Sequence, residues 1–422
     1  MTGSGTLENQ VREMARLAKK SSASLAPAST EKKNSCLLTI GKLLDAKREE
    51  IKAENQKDLV EGKKNGLSAA MIDRLRLSDA VIDSMIDGLG EVCNLPDPVG
   101  AFEDMSLRPN GLRVGRMRVP IGVVSMIYES RPNVTIDAAA LCLKTGNSVL
   151  LRGGSEAIHS NLILAEIIRE GLLQSELSGD CVQVIPVTDR EAVNHLLQQE
   201  DYIDLVIPRG GEGLIRYVSE TSRIPVLKHY KGVCHIYVDS EADLEKAVPI
   251  IINSKVQRPG VCNALEGLLV HKDIAETFIP TIVKALHKDG VTVKGCKQTV
   301  ALAEGVEQAA DDDWGTEFLD LVLVVKVVDS VIEAKDYIQH YGSNHTESIL
   351  TENYTTAMQF LSEVDASAVM VNASTRFNDG GQLGLGTEIG ISTTKLHAYG
   401  PMGLTELTTR KFVVFGMGQI RD

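Results

Sequence analysis

The sequence predicts an α/β protein with two doubly wound α/β domains and a small β element for oligomerisation. Three observations predict this fold: helical patterning up to residue 93, apolar runs that alternate with helices from Ile121, and a second series of such units from about Cys234. Strand-length apolar runs that alternate with helices are typical of parallel sheets covered on both faces. A chain of 422 residues is long enough for two such domains.

The composition is that of an ordinary globular protein and argues against several partners. The formal net charge is −13, from 44 basic and 57 acidic residues, and both nucleic acid and an anionic membrane prefer a basic surface. No apolar run approaches the roughly 18 residues of a membrane span. Seven cysteines without a C-x-x-C pair favour reduced thiols over disulfides or a metal site. We therefore expect a cytoplasmic protein without a bound metal.

The region before the first sheet combines helices with an arginine-rich segment. Residues 6–93 carry apolar side chains at helical spacing, and Pro96 and Pro98 end this part. In residues 111–120, apolar residues and arginines alternate on each side of Gly115, which predicts a two-stranded ribbon. The arginines suit an anion, but we prefer an exposed ribbon that pairs with another subunit. The tail Thr408–Phe415 is predicted as its partner strand.

Strands and helices then alternate. The first series includes predicted strands at 121–127, 148–151, 182–186, 202–207 and 224–227, and the second includes strands at 234–238, 265–270, 319–328, 345–351 and 368–371. These patterns predict three domains: residues 1–108 with 125–233, which bind a cofactor; residues 234–391, which carry the catalytic groups; and residues 109–124 with 404–422, which join subunits.

Two strand-to-helix corners suggest a phosphate site. Arg152-Gly-Gly-Ser-Glu156 and Pro208-Arg-Gly-Gly-Glu-Gly213 each place glycines where a helix begins. Glycines let a phosphate approach backbone N–H groups, and the helix dipole favours the anion. Neither corner is a G-x-G-x-x-G motif, and one corner alone is equally consistent with a tight turn. Two corners with an arginine each favour a nucleotide, held by Arg152, Gly153, Gly154, Ser155, Arg209, Gly210 and Gly211.

Cys262 is the candidate nucleophile. It follows a Pro-Gly turn and precedes the apolar run Leu268–Val270, so a strand mouth would present its thiol. A nucleophilic cysteine needs cationic or dipolar neighbours, which Lys255 and Arg258 could supply. A single cysteine is more often a small buried hydrophobe, so the signal is weak without the rest of the chain.

Long motifs follow one another along the chain: Pro120-Ile-Gly-Val, Ile127-Tyr-Glu-Ser-Arg-Pro-Asn-Val-Thr135, Leu151-Arg-Gly-Gly-Ser-Glu-Ala157, His229-x-x-Gly-x-Cys-His235, Gln257-Arg-Pro-Gly-Val-Cys-Asn-Ala-Leu-Glu266, His345-Thr-Glu347 and Glu388-Ile-Gly-Ile-Ser-Thr-x-Lys-Leu-His-Ala-x-Gly-Pro-Met-Gly403. In these motifs and their order, the chain resembles the aldehyde dehydrogenase superfamily, in its branch that reduces acyl phosphates.

The resemblance implies residue roles and a reaction. Cys262 would be the nucleophile, and Asn133 falls where the superfamily has its oxyanion asparagine. Arg152 falls where a lysine usually meets the adenosine ribose, and Glu317 matches the glutamate that holds the nicotinamide ribose. The implied reaction is NADPH-dependent reduction of an acyl phosphate through a cysteine thioester. The implied assembly is a homo-oligomer, either a dimer or a tetramer.

One departure from the family pattern bears on the reaction. Hydrolytic members carry a glutamate that activates water, whereas Leu227-Lys-His-Tyr-Lys-Gly232 places His229 near that position and has no carboxylate. This favours transfer to phosphate over hydrolysis. Arg258 and His229 are candidates for binding the phosphate, although Arg258 is equally consistent with a loop anchor paired to a carboxylate. Two alternatives stay open. One is another acylating aldehyde dehydrogenase, with coenzyme A or phosphate as acyl acceptor and a different acyl group. The other is an inactive homologue that serves as a binding or scaffolding partner, for example of the kinase that makes the acyl phosphate.

Overall fold

The computed structural model describes residues 4–421, with side chains described from Leu7 onwards. The described chain forms two compact units. The first holds the residues up to Lys228 together with Leu385–Gly390 and the segment that begins at Met402, and the second holds His229–Gly384 and Ile391–Pro401. The predicted domain bounds stay a prediction.

The first unit opens with helices, as the apolar spacing predicts. Within residues 4–94 these are α1 (Ser4–Leu25), α2 (Thr30–Ala46), α3 (Arg48–Lys64), α4 (Ala69–Leu75) and α5 (Asp79–Asn94). Ser29, Ser68 and Ser78 cap α2, α4 and α5, because each side chain accepts a hydrogen bond from the backbone N–H three residues on.

The arginine-rich segment forms the centre of an antiparallel sheet. The strand β2 (Arg113–Pro120) lies between β1 (Phe102–Leu107) and β16 (Thr408–Phe415), so the predicted pairing with the C-terminal strand is confirmed. The predicted division at Gly115 is wrong, because β2 continues through it. The hairpin turn lies at residues 108–112, where Arg108 N donates to Leu112 O at 2.7 Å. A Cβ on Gly115 would lie 2.8 Å from Met105 Cε, so the glycine permits close approach of β1.

A parallel sheet forms the centre of the first unit. Its strands, in spatial order, are β5 (Val182–Val184), β4 (Ser148–Arg152), β3 (Val123–Tyr128) and β6 (Leu205–Arg209). Its helices are α6 (Val134–Lys144), α7 (Ile158–Gln174), α8 (Glu191–Leu197) and α9 (Glu212–Thr221). The strand predicted at 224–227 is wrong, since that segment makes a single bridge, Val206 to Val226. Pro225 has no N–H with which to extend a ladder.

The second unit contains a larger parallel sheet. Its strands, in spatial order, are β10 (Glu307–Gln308), β9 (Thr292–Gly295), β11 (Val322–Val328), β8 (Leu265–His271), β7 (Cys234–Val238), β12 (Thr346–Leu350) and β13 (Ala368–Val371). Its helices are α10 (Leu244–Val256), α11 (Lys272–Lys288), α12 (Lys297–Leu302), α13 (Val331–Tyr341) and α14 (Tyr354–Glu363). Leu268, Phe278 and Val325 are buried between sheet and helices. Burial on both faces explains why these strands are continuous apolar runs.

Short elements complete the chain. They are β14 (Ile391–Ser392), β15 (Gly400–Pro401) and 3-10 turns at Ser155–Ala157, Gly179–Cys181, Asp311–Gly315 and Thr375–Phe377. Among residues 4–421, no helix is both long enough and apolar enough to cross a membrane.

Candidate active site

Cys262 lies on the turn between α10 and the central strand β8 of the second unit. Its side chain is half-buried, and Ala264 N donates to Val261 O at 3.1 Å to close the turn. Other cysteines lie deeper. Burial raises the pKa of Cys36 to about 11 and those of Cys142 and Cys181 to about 12, so these thiols stay protonated near neutral pH.

The loop before β7 packs directly against the cysteine turn. A Cβ on Gly232 would lie 2.0 Å from the carbonyl oxygen of Cys262, so only glycine fits there. Cys234 Sγ donates to the same oxygen at 3.2 Å, and burial raises the pKa of Cys234 well above its usual range. Cys234 is therefore a neutral structural thiol that fixes the Cys262 backbone.

The same loop brings two predicted residues close to the cysteine turn. Glu317 Oε1 accepts a hydrogen bond from Gly232 N at 2.9 Å. The ring of His229 meets that of His345 edge to face at 5.7 Å, and His345 Nδ1 lies 3.7 Å from Cys234 Sγ. The second unit thus brings Glu317 and His229 to the loop that packs on Cys262.

Lys255 has a different role from the one that its place in the sequence suggests. It is buried and forms an ion pair of 2.7 Å with Glu266, so its charge is already matched by a carboxylate. Glu266 also accepts a hydrogen bond from Leu319 N at 3.2 Å. Burial, opposed by Lys255, raises the pKa of Glu266 to about 7. The pair ties the cysteine turn to the segment that carries Glu317.

A second buried pair of titratable side chains, His235 and Glu347, lies inside the second unit. His235 Nδ1 and Glu347 Oε2 are 3.0 Å apart, and both side chains are fully buried. Burial raises the pKa of Glu347, while His235 opposes that rise. Residues from the motifs at 229–235 and 345–347 therefore meet inside the second unit.

Sequence reasoning missed Arg376. It lies in the 3-10 turn Thr375–Phe377, and its Nη1 donates to Asn263 Oδ1, on the residue that follows Cys262. Its Nε donates to Gln257 Oε1 at 2.8 Å. The available signal was a lone arginine in Asn372-Ala-Ser-Thr-Arg376, but its distance along the chain concealed the contact.

In the first unit, Arg152 and Gly154 border a cavity of about 550 Å³, whereas Gly153 between them does not line it. Arg152, Gly154 and Ser155 line it, as predicted for one binding surface, and Arg190 lines it as well. A Cβ on Gly153 would lie 2.1 Å from Asn161 Nδ2, and one on Gly154 would lie 2.1 Å from Glu156 Oε1. Close packing against the buried side chains of Asn161 and Tyr128 therefore favours glycine at position 153, whereas the neighbour of Gly154 is the end of a flexible side chain.

The cavity is lined by the guanidinium groups of Arg152 and Arg190 and by the carboxylates of Glu129, Glu156 and Glu191. Arg152 Nη2 donates to Thr188 O at 3.0 Å, whereas its buried Nε has no hydrogen-bond partner among the described residues. Burial lowers the pKa of Arg152; Glu156 opposes this and Arg190 reinforces it. An unsatisfied guanidinium nitrogen beside a cavity, near the carboxyl ends of parallel strands, fits a phosphorylated cofactor such as a dinucleotide.

The second glycine corner differs from the first. Arg209, Gly210 and Gly211 are not among the residues that line the cavity. The carboxylate of Glu129 lies over this corner and accepts a hydrogen bond from Gly211 N at 3.0 Å. A side-chain carboxylate thus meets the N–H group that was predicted to meet a phosphate.

Asn133 directly precedes α6 in the first unit. Its Nδ2 donates to Asp137 Oδ2 at 3.0 Å. Burial, opposed by the Asn133 hydrogen bond, raises the pKa of Asp137 to about 6. The predicted partnership of Asn133 with Cys262, which belongs to the second unit, stays a prediction.

The fold and the cysteine turn define the class of protein. The model of the aldehyde dehydrogenase family matches residues 3–301, so the chain belongs to that family of oxidoreductases, whose members use NAD or NADP, act on small molecules and are typically oligomers.

Similar proteins define the branch. A gamma-glutamyl phosphate reductase of Desulfotalea psychrophila is 62% identical over 417 residues, which cover 99% of this chain and 100% of the relative. One from Geobacter metallireducens is 54% identical, with 99% and 100% covered. The crystal structure of the Thermotoga maritima gamma-glutamyl phosphate reductase has 50% identity and a TM-score of 0.96, covering 98% of this chain and 100% of that one. Within its family, the chain belongs to the gamma-glutamyl phosphate reductases.

Proposed function

We propose that the chain reduces L-glutamyl 5-phosphate to L-glutamate 5-semialdehyde with NADPH, releasing phosphate in proline biosynthesis. The observation that carries the proposal is the half-buried Cys262 on a turn held by Gly232 and Cys234. The loop over that turn carries His229, Tyr230 and Lys231, none of which is a carboxylate that would activate water against a thioester.

The reaction divides into two steps on Cys262. Its thiolate attacks the acyl carbon, phosphate leaves with the bonding electron pair, and a thioester remains on the enzyme. When bound, NADPH supplies the hydride that reduces this thioester. Collapse of the resulting thiohemiacetal releases the semialdehyde and restores the thiolate. The backbone N–H of Cys262 and the side chain of Asn133 would stabilise the oxyanion in both steps.

The residues around the first-unit cavity support NADPH as the cofactor. Arg152 would offer its unsatisfied Nε edge to a phosphate, with Gly154 and Ser155 lining the approach and Gly153 packed against Asn161. Arg209, Gly210 and Gly211 would contribute at the second corner if Glu129 moved aside. Glu317, held by Gly232 N, would accept hydrogen bonds from the nicotinamide ribose.

An assay with glutamate 5-kinase tests the function, because it supplies the unstable acyl phosphate in the same tube. We expect oxidation of NADPH that depends on the kinase, ATP and glutamate, and no turnover by Cys262→Ala. The matched control is Cys296→Ser, which replaces another half-buried thiol of the second unit. Activity of Cys262→Ala, or faster reduction of acyl-CoA than of the acyl phosphate, would refute the proposal.

A homo-oligomer joined through the β1–β2–β16 sheet is part of the proposal. Phe102, Leu107, Phe412 and Phe415 of this sheet are all more than half exposed, and apolar patches of this kind mark interaction surfaces. Phe412→Glu should therefore lower the molar mass measured by light scattering, whereas an unchanged mass would reject this surface. The resemblance to this family also implies channelling of the acyl phosphate from glutamate 5-kinase, which stays a prediction.

A further inference from the structure

Two arginines of the second unit surround the cysteine turn. The guanidinium of Arg376 is bound to Asn263, directly after Cys262, and to Gln257, near the start of the same turn. Arg258 follows Gln257 and is exposed. Arg258 therefore belongs to the segment that carries the Cys262 thiol, and Arg376 is fixed against that segment.

The backbone that carries Arg376 is fixed to this segment as well. Asn263 Nδ2 donates to Asn378 O at 2.9 Å, and the hydroxyls of Ser254 and Ser374 are 2.8 Å apart. These contacts fix the backbone just before and just after the 3-10 turn that carries Arg376. Its guanidinium is thus placed before any ligand arrives, which reduces the entropy cost of binding.

The charges favour an anion at this place. Burial, then the charge of Arg258, lowers the pKa of Arg376, while Asp379 and Cys262 oppose the shift. Within the second unit, Arg258 forms no ion pair with a described carboxylate, so the interpretation of Arg258 as a loop anchor lacks support. Two neighbouring guanidinium groups without an ion-pair partner repel each other unless an anion lies nearby.

We propose that Arg376 and Arg258 bind the phosphate group of the acyl phosphate and hold it as it leaves. This inference rests on the proposed function. When the Cys262 Sγ–carbon bond forms, the carbon–oxygen bond to phosphate breaks and its electron pair stays on the phosphate oxygen. That oxygen then takes a proton from water, so that phosphate leaves as its hydrogen phosphate dianion. Guanidinium hydrogens near that oxygen stabilise the growing charge.

The geometry favours phosphate over the α-carboxylate of the glutamyl group. Phosphate is attached to the carbon that Cys262 attacks, whereas the α-carboxylate is at the far end of the substrate. Arg376 is held by the residue that directly follows Cys262, so the group nearest the attacked carbon is the one within its reach. A phosphate dianion also matches two cations, while a carboxylate matches one.

The reverse reaction measures phosphate binding during turnover. With semialdehyde, NADP and inorganic phosphate, we expect Arg376→Gln and Arg258→Gln each to raise the KM for phosphate by about tenfold or more, as for loss of a charge-assisted hydrogen bond. Arg376→Lys should recover part of the loss. The control, Lys284→Gln, removes one exposed positive charge from the same unit and should change nothing. A rise in the KM for the semialdehyde alone would assign the arginines to the α-carboxylate and overturn the proposal.

Protection of the thiol separates this site from the proposed function. Inorganic phosphate should slow alkylation of Cys262 by iodoacetamide in a Cys296→Ser background, and the protection should vanish in Arg376→Gln and Arg258→Gln. If Arg376→Gln fails to fold, the result with Arg258→Gln decides the test. Equal protection in both arginine variants and in the Cys296→Ser parent would overturn the site, even with full reductase activity. Protection that depends on the arginines, without reduction of any acyl phosphate, would keep the site and refute the function.

Discussion

Lys255 and Glu266 form a buried ion pair of 2.7 Å that connects the two ends of the cysteine turn. Lys255 lies in the last turn of α10 and Glu266 lies in β8, so the pair closes the loop that holds Cys262. Glu266 also binds Leu319 N, two residues beyond Glu317. One carboxylate thus positions both the nucleophile and the segment that carries a predicted cofactor ligand.

Lys255→Met should strongly destabilise the protein, because it leaves Glu266 buried without its cation. We expect a loss of about 3–5 kcal/mol in the free energy of unfolding, measured by urea titration. The double variant Lys255→Met/Glu266→Gln should recover much of this loss, since its buried side chains carry no charge. A single variant as stable as wild type would contradict the coupling.

The Lys255→Met variant should also depend on pH in a defined direction. Burial raises the pKa of Glu266 to about 7 even beside Lys255, and removal of Lys255 raises it further. The folded variant then binds a proton that the unfolded chain releases near pH 4.3, approximately the usual glutamate value. Its stability should therefore fall as pH rises from about 5 to 8. A stability that rises over this range would show that Glu266 stays charged.

Gly232→Ala should inactivate the enzyme while the protein still folds. The added Cβ would meet the Cys262 carbonyl at 2.0 Å and displace the turn. A displacement near 1 Å typically costs about a hundredfold in rate. Gly88→Ala is the control, because its helical position has no heavy atom within 4 Å of the new Cβ. Measured turnover and the rate of Cys262 alkylation should both fall only in Gly232→Ala.

Arg152→Gln should reduce the preference for NADPH. The 2′-phosphate that distinguishes NADPH from NADH needs a cation, so the KM for NADPH should rise about tenfold while that for NADH changes little. Arg152→Lys should lie between wild type and Arg152→Gln, and Arg74→Gln, an exposed arginine of α4, is the surface control. A wild-type enzyme that prefers NADH by a wide margin would contradict this assignment.

Asn133 should link turnover to the protonation of Asp137. The pKa of Asp137 is raised to about 6, so below this pH the ionised acceptor of the Asn133 amide is lost. We expect kcat to fall with decreasing pH through about 6, and Asp137→Asn to remove that step. Asn133→Ala should lower kcat about 10²–10³-fold, as for loss of one oxyanion donor. If kcat of Asp137→Asn still falls through pH 6 as in the wild type, Asp137 does not cause that step.

The sequence predicted what depends on local patterns. Continuous apolar strands, the helix Val134–Lys144 and the position of Cys262 on a turn before β8 all follow from periodicity and flanking glycines. Gly115 was misleading, because a glycine inside a strand and one in a hairpin look alike until the partner strand is known. The same limit concealed β1, whose alternation is weak and interrupted by a bulge.

Contacts between distant segments could not be predicted from local patterns. Arg376 is more than a hundred residues from Asn263. The family resemblance carried the assignments of Asn133 and Glu317, whereas the structure shows what holds each in place: Asp137 for Asn133, and Gly232 for Glu317. Lys255 illustrates the converse, since its proximity in sequence to Cys262 suggested a cation that activates the thiol, whereas its charge is paired with Glu266.

The most direct test of the central claim is to trap the acyl-enzyme. The acyl phosphate, generated by the kinase without NADPH, should add one glutamyl group to the protein by intact mass spectrometry, and peptide mapping should place it on Cys262. Hydroxylamine should remove it, as expected of a thioester. An adduct on another residue, or wild-type turnover by Cys262→Ala without any adduct, would contradict the account.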